Sequence, residues 1–406
     1  DQLITVAAPQ TWADVARWYG GLARDRYVTT PALDSSLASL VAGARTLEDS
    51  LRRVHRWVAQ DFRYVSLSLG IGGFQPRLPA AVLRTRYGDC KDKATLFITL
   101  AQRMGLQAYP VLLASGGGIE RDLPSANAFD HMIAAVQRPT GYLFLDLTSE
   151  LTPLGSLPSA EQGEFGLVVH PDGRGEEVTF PTDSTPLNRD ASTLTGDLSP
   201  DGVFSGRYVH VATGDQQYSL RRTFANAIGP DERERLKRTV ANLVFPGASG
   251  DSLELFDGRD LSAQPRVAFV VHGAQVTSKS GPSDILTVPL HNYGAVKALA
   301  VELEGLGPRK FPIDVAAVAG PHVEQAELRL TLPAGWRAAL PSNVTASSGF
   351  GTYTAEYAQD GQTLRIARRL VGRKGVEPPD RIGELIAWLK DMGKDDVRYI
   401  VLEHQK

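Results

Sequence analysis

The chain has 406 residues, 42% of them hydrophobic and 22% charged, with 39 Gly, 25 Pro and a single cysteine, a composition that excludes disordered and fibrous classes. At about 150 residues per domain the length provides for two or three domains, and the lone Cys90 excludes an internal disulfide, a CxxC redox pair and a zinc centre built from several thiolates. The 43 basic and 46 acidic residues leave a net charge of −3, which gives no electrostatic footprint for nucleic acid.

Helices open the chain. Thr11-Trp-Ala-Asp14 has the spacing of a capping box, followed by Val15, Trp18 and Tyr19 at helical intervals. Thr46-Leu-Glu-Asp49 repeats the signature before Leu51, Val54, His55, Val58 and Phe62, and His55 and Trp57 read as packing residues of that amphipathic helix. Arg63 to Leu69 alternates in the manner of a strand until Gly70, Gly72, Gly73 and Pro76 break it. A third helical pattern runs from Cys90 to Met104 and stops at Gly105. Strand-like runs follow at Tyr109–Ala114, His131–Val136, Tyr142–Leu147 and Phe165–His170. Helices first and an antiparallel sheet after predict an α+β domain over residues 1–187.

Residues 188–406 read as a β-rich domain that binds substrate or partner. Its predicted strands are Ser192–Thr195, Gly202–Val211, Ser252–Phe256, Arg266–Val276, Ile285–Val288, Val323–Leu332 and Thr352–Tyr357, a β-sandwich pattern. Helices are expected at about 215–227 and 231–243, and a C-terminal one from Pro379-Asp380 to Met392. Apolar runs such as Val267–Val271 fall far short of the roughly 20 residues of a membrane span.

The chemistry concentrates at Gly88-Asp-Cys-Lys-Asp-Lys-Ala94. Gly88 permits a turn, Asp89 is a candidate N-cap, and Cys90 then sits in a first helical turn, where unpaired N–H groups and the macrodipole favour a thiolate and can bind an oxyanion. Lys91 and Lys93 flank the thiol and are expected to face solvent. A base is supplied by His131, 41 residues on, at the start of a strand, with Asp146 on the next strand. If Arg138 to Gly141 form a four-residue turn, His131 faces Thr148 and Asp146 is its diagonal neighbour, at a Cα distance of roughly 7–8 Å. A two-residue Thr140-Gly141 turn would set them a register step further apart, and Pro139 favours the longer loop. The result is a candidate Cys90, His131, Asp146 triad. No GxxxxGK[ST], HExxH or GxSxG occurs, Ser115-Gly-Gly-Gly118 reads as a flexible loop near the site, and His210, His272, His291 and His322 are scattered with no metal assigned; no cofactor is expected.

The ordered set Arg86-Tyr-Gly-Asp-Cys-Lys-Asp-Lys-Ala-Thr-Leu96, Gly105-Leu-Gln-Ala-Tyr-Pro-Val-Leu112, Leu123-Pro-Ser125, Phe129-Asp-His131 and Leu145-Asp-Leu-Thr148 resembles the bacterial transglutaminase-like superfamily over about residues 45–170. The resemblance is strongest to its exported branch, whose members carry a β-rich domain of unknown function ahead of the core and another β-rich region after it. Asp1 lies too close to the core to include the leading domain, and any export signal would precede it. The resemblance implies a papain-like fold with Cys90 as nucleophile, His131 as base and Asp146 as orienter, and a periplasmic or otherwise exported location. The family often has Asn before the His and Pro after the Asp, where this chain has Asp130 and Leu147. Related enzymes draw a second oxyanion donor from upstream of the cysteine; Tyr64 or Gln75 would serve here, or each would simply pack a strand and cap a loop.

These readings converge on a thiol enzyme acting on amide bonds of a peptide or protein, with hydrolysis ahead of amine transfer because water is the default acceptor. Protein-glutamine cross-linking, and a non-catalytic scaffold with a vestigial triad, are the alternatives. The oligomeric state is unknown from the sequence.

Overall fold

Three threonines start the N-terminal helices in the computed structural model, which describes residues 10–66, 69–183, 185, 187–226, 229–245, 248–289 and 294–404. Thr11, Thr30 and Thr46 cap α1 (Trp12–Ala23), α2 (Pro31–Val41) and α3 (Leu47–Asp61), each accepting a backbone N–H of the first turn, and Thr11 completes a capping box with Asp14. His55 and Val54 lie on the buried face of α3, and Trp57 packs partly buried against the same core. The predicted strand from Arg63 is short: β1 is Arg63–Tyr64, and part of its expected continuation, with Ala227 and His291, lies outside the described residues.

After α4 (Pro79–Thr85), β2 (Tyr87–Gly88) pairs in parallel with β1 and leads directly into α5 (Cys90–Arg103). The sheet beyond is antiparallel. Its strands β3 (Ala108–Leu113), β4 (His131–Arg138), β5 (Gly141–Leu145), β6 (Phe165–Val169) and β7 (Gly175–Thr179) stand in the order β5-β4-β3-β6-β7. Side chains alternate between two apolar layers. Leu112, Met132, Ala134, Val136, Leu167 and Val169 join the helical core, while Val111, Leu113, Ile133, Ala135 and Phe144 pack with Leu157 and Phe180 from loops. Burial on both faces explains why these strands read as continuous apolar runs. The polar Gly-Glu-Glu-Val-Thr of β7 gave no such signal.

The chain divides into two compact units, Asp1–Asp183 and Ser184–Lys406. The second comprises β8 (Arg189–Leu198), β9 (Val203–Thr213), α6 (Gln216–Thr223), α7 (Pro230–Val244), β10 (Ser249–Glu254), β11 (Arg266–Gln275), β12 (Thr277–Ser280), β13 (Ser283–Thr287) and α8 (Gly294–Gly305). It continues with β14 (Ile313–Asp314), α9 (Ala316–Ala319), β15 (Val323–Thr331), β16 (Trp336–Ala339), β17 (Val344–Ser348), β18 (Gly351–Asp360), β19 (Thr363–Gly372), β20 (Val376–Glu377), α10 (Ile382–Met392) and β21 (Tyr399–His404). Eight strands form one sheet, β10-β11-β9-β8-β15-β19-β18-β17, and four another, β12-β13-β21-β16. One core joins them, and helices contribute to it through Val244, Ala300, Leu385, Trp388 and Leu389. The C-terminal helix is present as predicted, after a single 3₁₀ turn at Pro379–Arg381. No helix among the described residues is long and apolar enough to cross a membrane.

Candidate active site

Position begins with the two residues before the thiol. β2 is tied to β1 by the Arg63 and Val65 amides, which donate to the Arg86 and Gly88 carbonyls at 3.0 Å each. Gly88 is required for space rather than for an unusual φ: a Cβ there would lie 2.6 Å from Asp92 Cβ. That tight approach lets Asp89 and Asp92 complete a reciprocal capping box, so Asp89 is the N-cap and Cys90 the first residue of α5. Arg77 secures Asp92 further, its backbone N–H and Nε each 2.8 Å from the carboxylate.

Both flanking lysines turn inward, against the expectation that they face solvent. Lys91 is 5% exposed and pairs with Asp89; Lys93 is fully buried and donates to the carbonyls of Ala59 and Phe62 at 2.9 Å each. The end of α3 offers unpaired carbonyls beside α5, and Lys93 satisfies them. Burial pulls its ammonium down to about 8, against the charges of Glu150 and Asp146.

His131 opens β4 opposite Leu113 of β3. The next hairpin turns on Pro139-Thr140, with Arg138 facing Gly141 and Ala134 facing Leu145, the register the longer turn predicts. Asp146 follows the last pair and accepts the backbone N–H and hydroxyl of Thr148, both at 2.8 Å to Oδ1. His131 Nε2 lies 3.4 Å from Asp146 Oδ1, and the imidazole is near enough to Cys90 for the thiol to act on its charge. Burial disfavours the charged ring, but the hydrogen bonds and negative charges of Asp146 and Cys90 outweigh it and lift His131 to about 11. Asp146 is held below the usual carboxylate range: burial opposes its charge, while His131 and the two Thr148 bonds overcome that opposition.

Glu161 was not singled out in the sequence, where it sits in an aperiodic loop. Its Oε1 is 3.7 Å from His131 Nε2, and only the tertiary fold reveals this. The ligating atoms of His131, Asp146 and Glu161 lie within 4.8 Å of one another. Burial and the charge of Asp146 raise the Glu161 carboxyl to about 9, so a cation there would compete with its proton and with that of the ring. Of the two oxyanion candidates, Tyr64 pairs with Gly88 across the β1–β2 clasp, and burial followed by the charge of Cys90 raises its phenol, with Ser66 opposing. Gln75 instead donates its amide to the Leu22 carbonyl at 3.0 Å. Ser115, at the head of the glycine loop, donates through its backbone N–H and hydroxyl to Asp130 at 2.7 and 3.1 Å, beside His131.

Residues 35–136 match the transglutaminase-like superfamily, and residues 304–402 match DUF3858, a domain of unknown function with a solved structure. A candidate protease from Parabacteroides distasonis is similar in fold, with a TM-score of 0.52 and 10% identity over 97% of this chain and 59% of that one. The chain thus spans about three fifths of that structure's length. A candidate cysteine protease from Cytophaga hutchinsonii matches over 31% of this chain and 40% of its own, at 17% identity and a TM-score of 0.24. No curated protein matches the sequence.

Proposed function

Starting from a first unit that carries a transglutaminase-like core, we propose that the protein is a thiol-dependent hydrolase of amide bonds in peptides or proteins, with Cys90 as nucleophile, His131 as acid and base, and Asp146 as its orienter. One observation carries the reading: a partly buried thiol beside an imidazole whose charged form Asp146, 3.4 Å away, favours. An imidazole beside a thiol is placed to take up its proton and later return one to the leaving group. Nε2 faces the carboxylates, so Nδ1 is the nitrogen that serves the thiol.

In the acylation step the Cys90 thiolate adds to the carbonyl carbon, and its oxyanion meets the start of α5. The capping box occupies the Asp89 and Asp92 amides, so those of Cys90 and Lys91 are the first-turn donors for the oxyanion. The phenol of Tyr64 is the candidate second donor. His131 gives its proton to the leaving amine as the C–N bond breaks, then takes one from water, whose oxygen attacks the thioester and releases the acid. The protease description of the fold neighbour supports hydrolysis as the second step; amine transfer is the same chemistry with another acceptor. The family resemblance also supports an exported location.

Alkylation tests the pair directly. At pH 6, iodoacetamide should modify wild-type Cys90 rapidly, and His131→Ala should lower the rate by a factor of roughly 10²–10³. Equal, slow rates would sink the enzyme reading. Mass spectrometry of a glutamine-containing peptide with excess primary amine then separates cleavage or deamidation from an amine adduct.

A further inference from the structure

Glu161 takes no part in the steps above, yet it is 3% exposed and stands against their acid–base pair. A carboxyl oxygen of Glu161 lies within 4.8 Å of one of Asp146, its Oε1 is 3.7 Å from His131 Nε2, and its Oε2 has no partner among the described residues. The charge balance decides what form it takes. Asp146 already balances the imidazolium, and a second buried carboxylate close to the first would be opposed by both desolvation and repulsion. Two carboxyl groups in such contact hold one proton between them.

The loop that carries Glu161 is fixed to the sheet. Its own amide donates to the Pro158 carbonyl at 3.0 Å, Gly163 donates to Phe180, and Gln162 spans Leu157 and Asp183. The acid is therefore delivered to the site by a braced segment.

We propose that Glu161 is a positioning residue: as a carboxylic acid it donates a hydrogen bond to Asp146, fixes that carboxylate against His131 Nε2, and so keeps the imidazole turned toward Cys90. This rests on the acyl-transfer reading of the site. Asp146, after β5, and His131, at the head of β4, are the titratable groups that face Glu161, while His55 of α3 and Lys93 of α5 act on Asp146. Burial and then the charge of Asp146, against that of His131, push the Glu161 carboxyl to about 9. Below that pH it is a donor. Above it the donor is lost, and a second anion holds the imidazolium proton more tightly, which slows its transfer to a leaving amine.

Two variants of the full chain separate donor from bulk and charge: Glu161→Leu removes the donor, and Glu161→Gln supplies a neutral one. The readouts are Cys90 alkylation by iodoacetamide at pH 7 and the His131 ring resonances followed by NMR from pH 6 to 10, assigned with His131→Ala; neither needs a substrate. Glu161→Leu should slow alkylation ~10-fold, the scale of lost outer-shell support, and Glu161→Gln should recover most of that loss. The wild-type ring resonances should pass through a step near pH 9 that Glu161→Gln abolishes. A wild-type ring with no such step overturns the inference, as does a Gln variant no faster than Leu; the step also decides the matter if the Leu variant fails to fold. A wild-type thiol no more reactive than free cysteine would instead overturn the acyl-transfer reading itself.

Discussion

His55 bears on the candidate site without belonging to the proposed triad. It is 2% exposed, its Nδ1 has no partner among the described residues, and burial lowers its imidazole to about 4 despite the attraction of Asp146. Folding therefore keeps it neutral where the unfolded chain, at about 6.5, would take up a proton. The sign follows: between pH 6.5 and 4 the unfolded state binds more protons, and stability falls as the pH falls. By pH 5 the loss from this residue is roughly 2 kcal/mol at about 1.36 kcal/mol per pH unit. His55→Leu should lose correspondingly less stability than wild type between pH 7 and pH 5 in urea denaturation, and parallel losses would refute the assignment. At this scale much was legible. The helix cap at Asp89, the position of Cys90 in a first turn and the pairing of His131 with Asp146 all follow from local chemistry and strand counting. Lys93 and Glu161 were not, because a charged side chain reads as solvated until the fold shows what it pairs with.

Among the elements, the start of α5 is where a small change should matter most. Gly88→Ala places a methyl 2.6 Å from Asp92 Cβ and 3.3 Å from Arg77 Nη2, so either the β1–β2 clasp or the capping box must shift. Overpacking of this kind costs about 1–3 kcal/mol. The variant should melt lower and alkylate Cys90 more slowly although no reacting atom is changed; an unaltered rate would show that the clasp does not set the thiol. Elements were read best where one physical period dominates. The capped helices and the apolar strands β3 to β6 were evident, whereas β19 was hidden by Arg365, Arg368 and Arg369 in its middle. Arg368 sits in that strand only because the buried Asp395 pairs with it at 2.7 Å, joined by the hydroxyls of Tyr353 and Tyr357. That compensation comes from residues distant in sequence.

Over the whole molecule, each unit has a hydrophobic core of its own, one around α5 and its sheet, the other around the eight-stranded sheet. Scanning calorimetry of the full chain should resolve two transitions. Arg368→Met leaves Asp395 buried without its guanidinium, a loss of about 3–5 kcal/mol, and should lower only one of them, while His55→Leu at pH 5 should move only the other. A single transition shifted by both variants would contradict independent melting. The order of strands along the chain has one more result. His131 and Asp146 are 15 residues apart and meet through a two-residue turn, whereas Cys90 stands 41 residues before His131, with α5 and β3 between. Loop-closure entropy and low contact order favour the hairpin first. If the proposed mechanism holds, a chain caught part-way has an imidazole–carboxylate pair and a thiol that have not met, so the reactivity of Cys90 would report completed folding and an unfinished molecule would be chemically quiet.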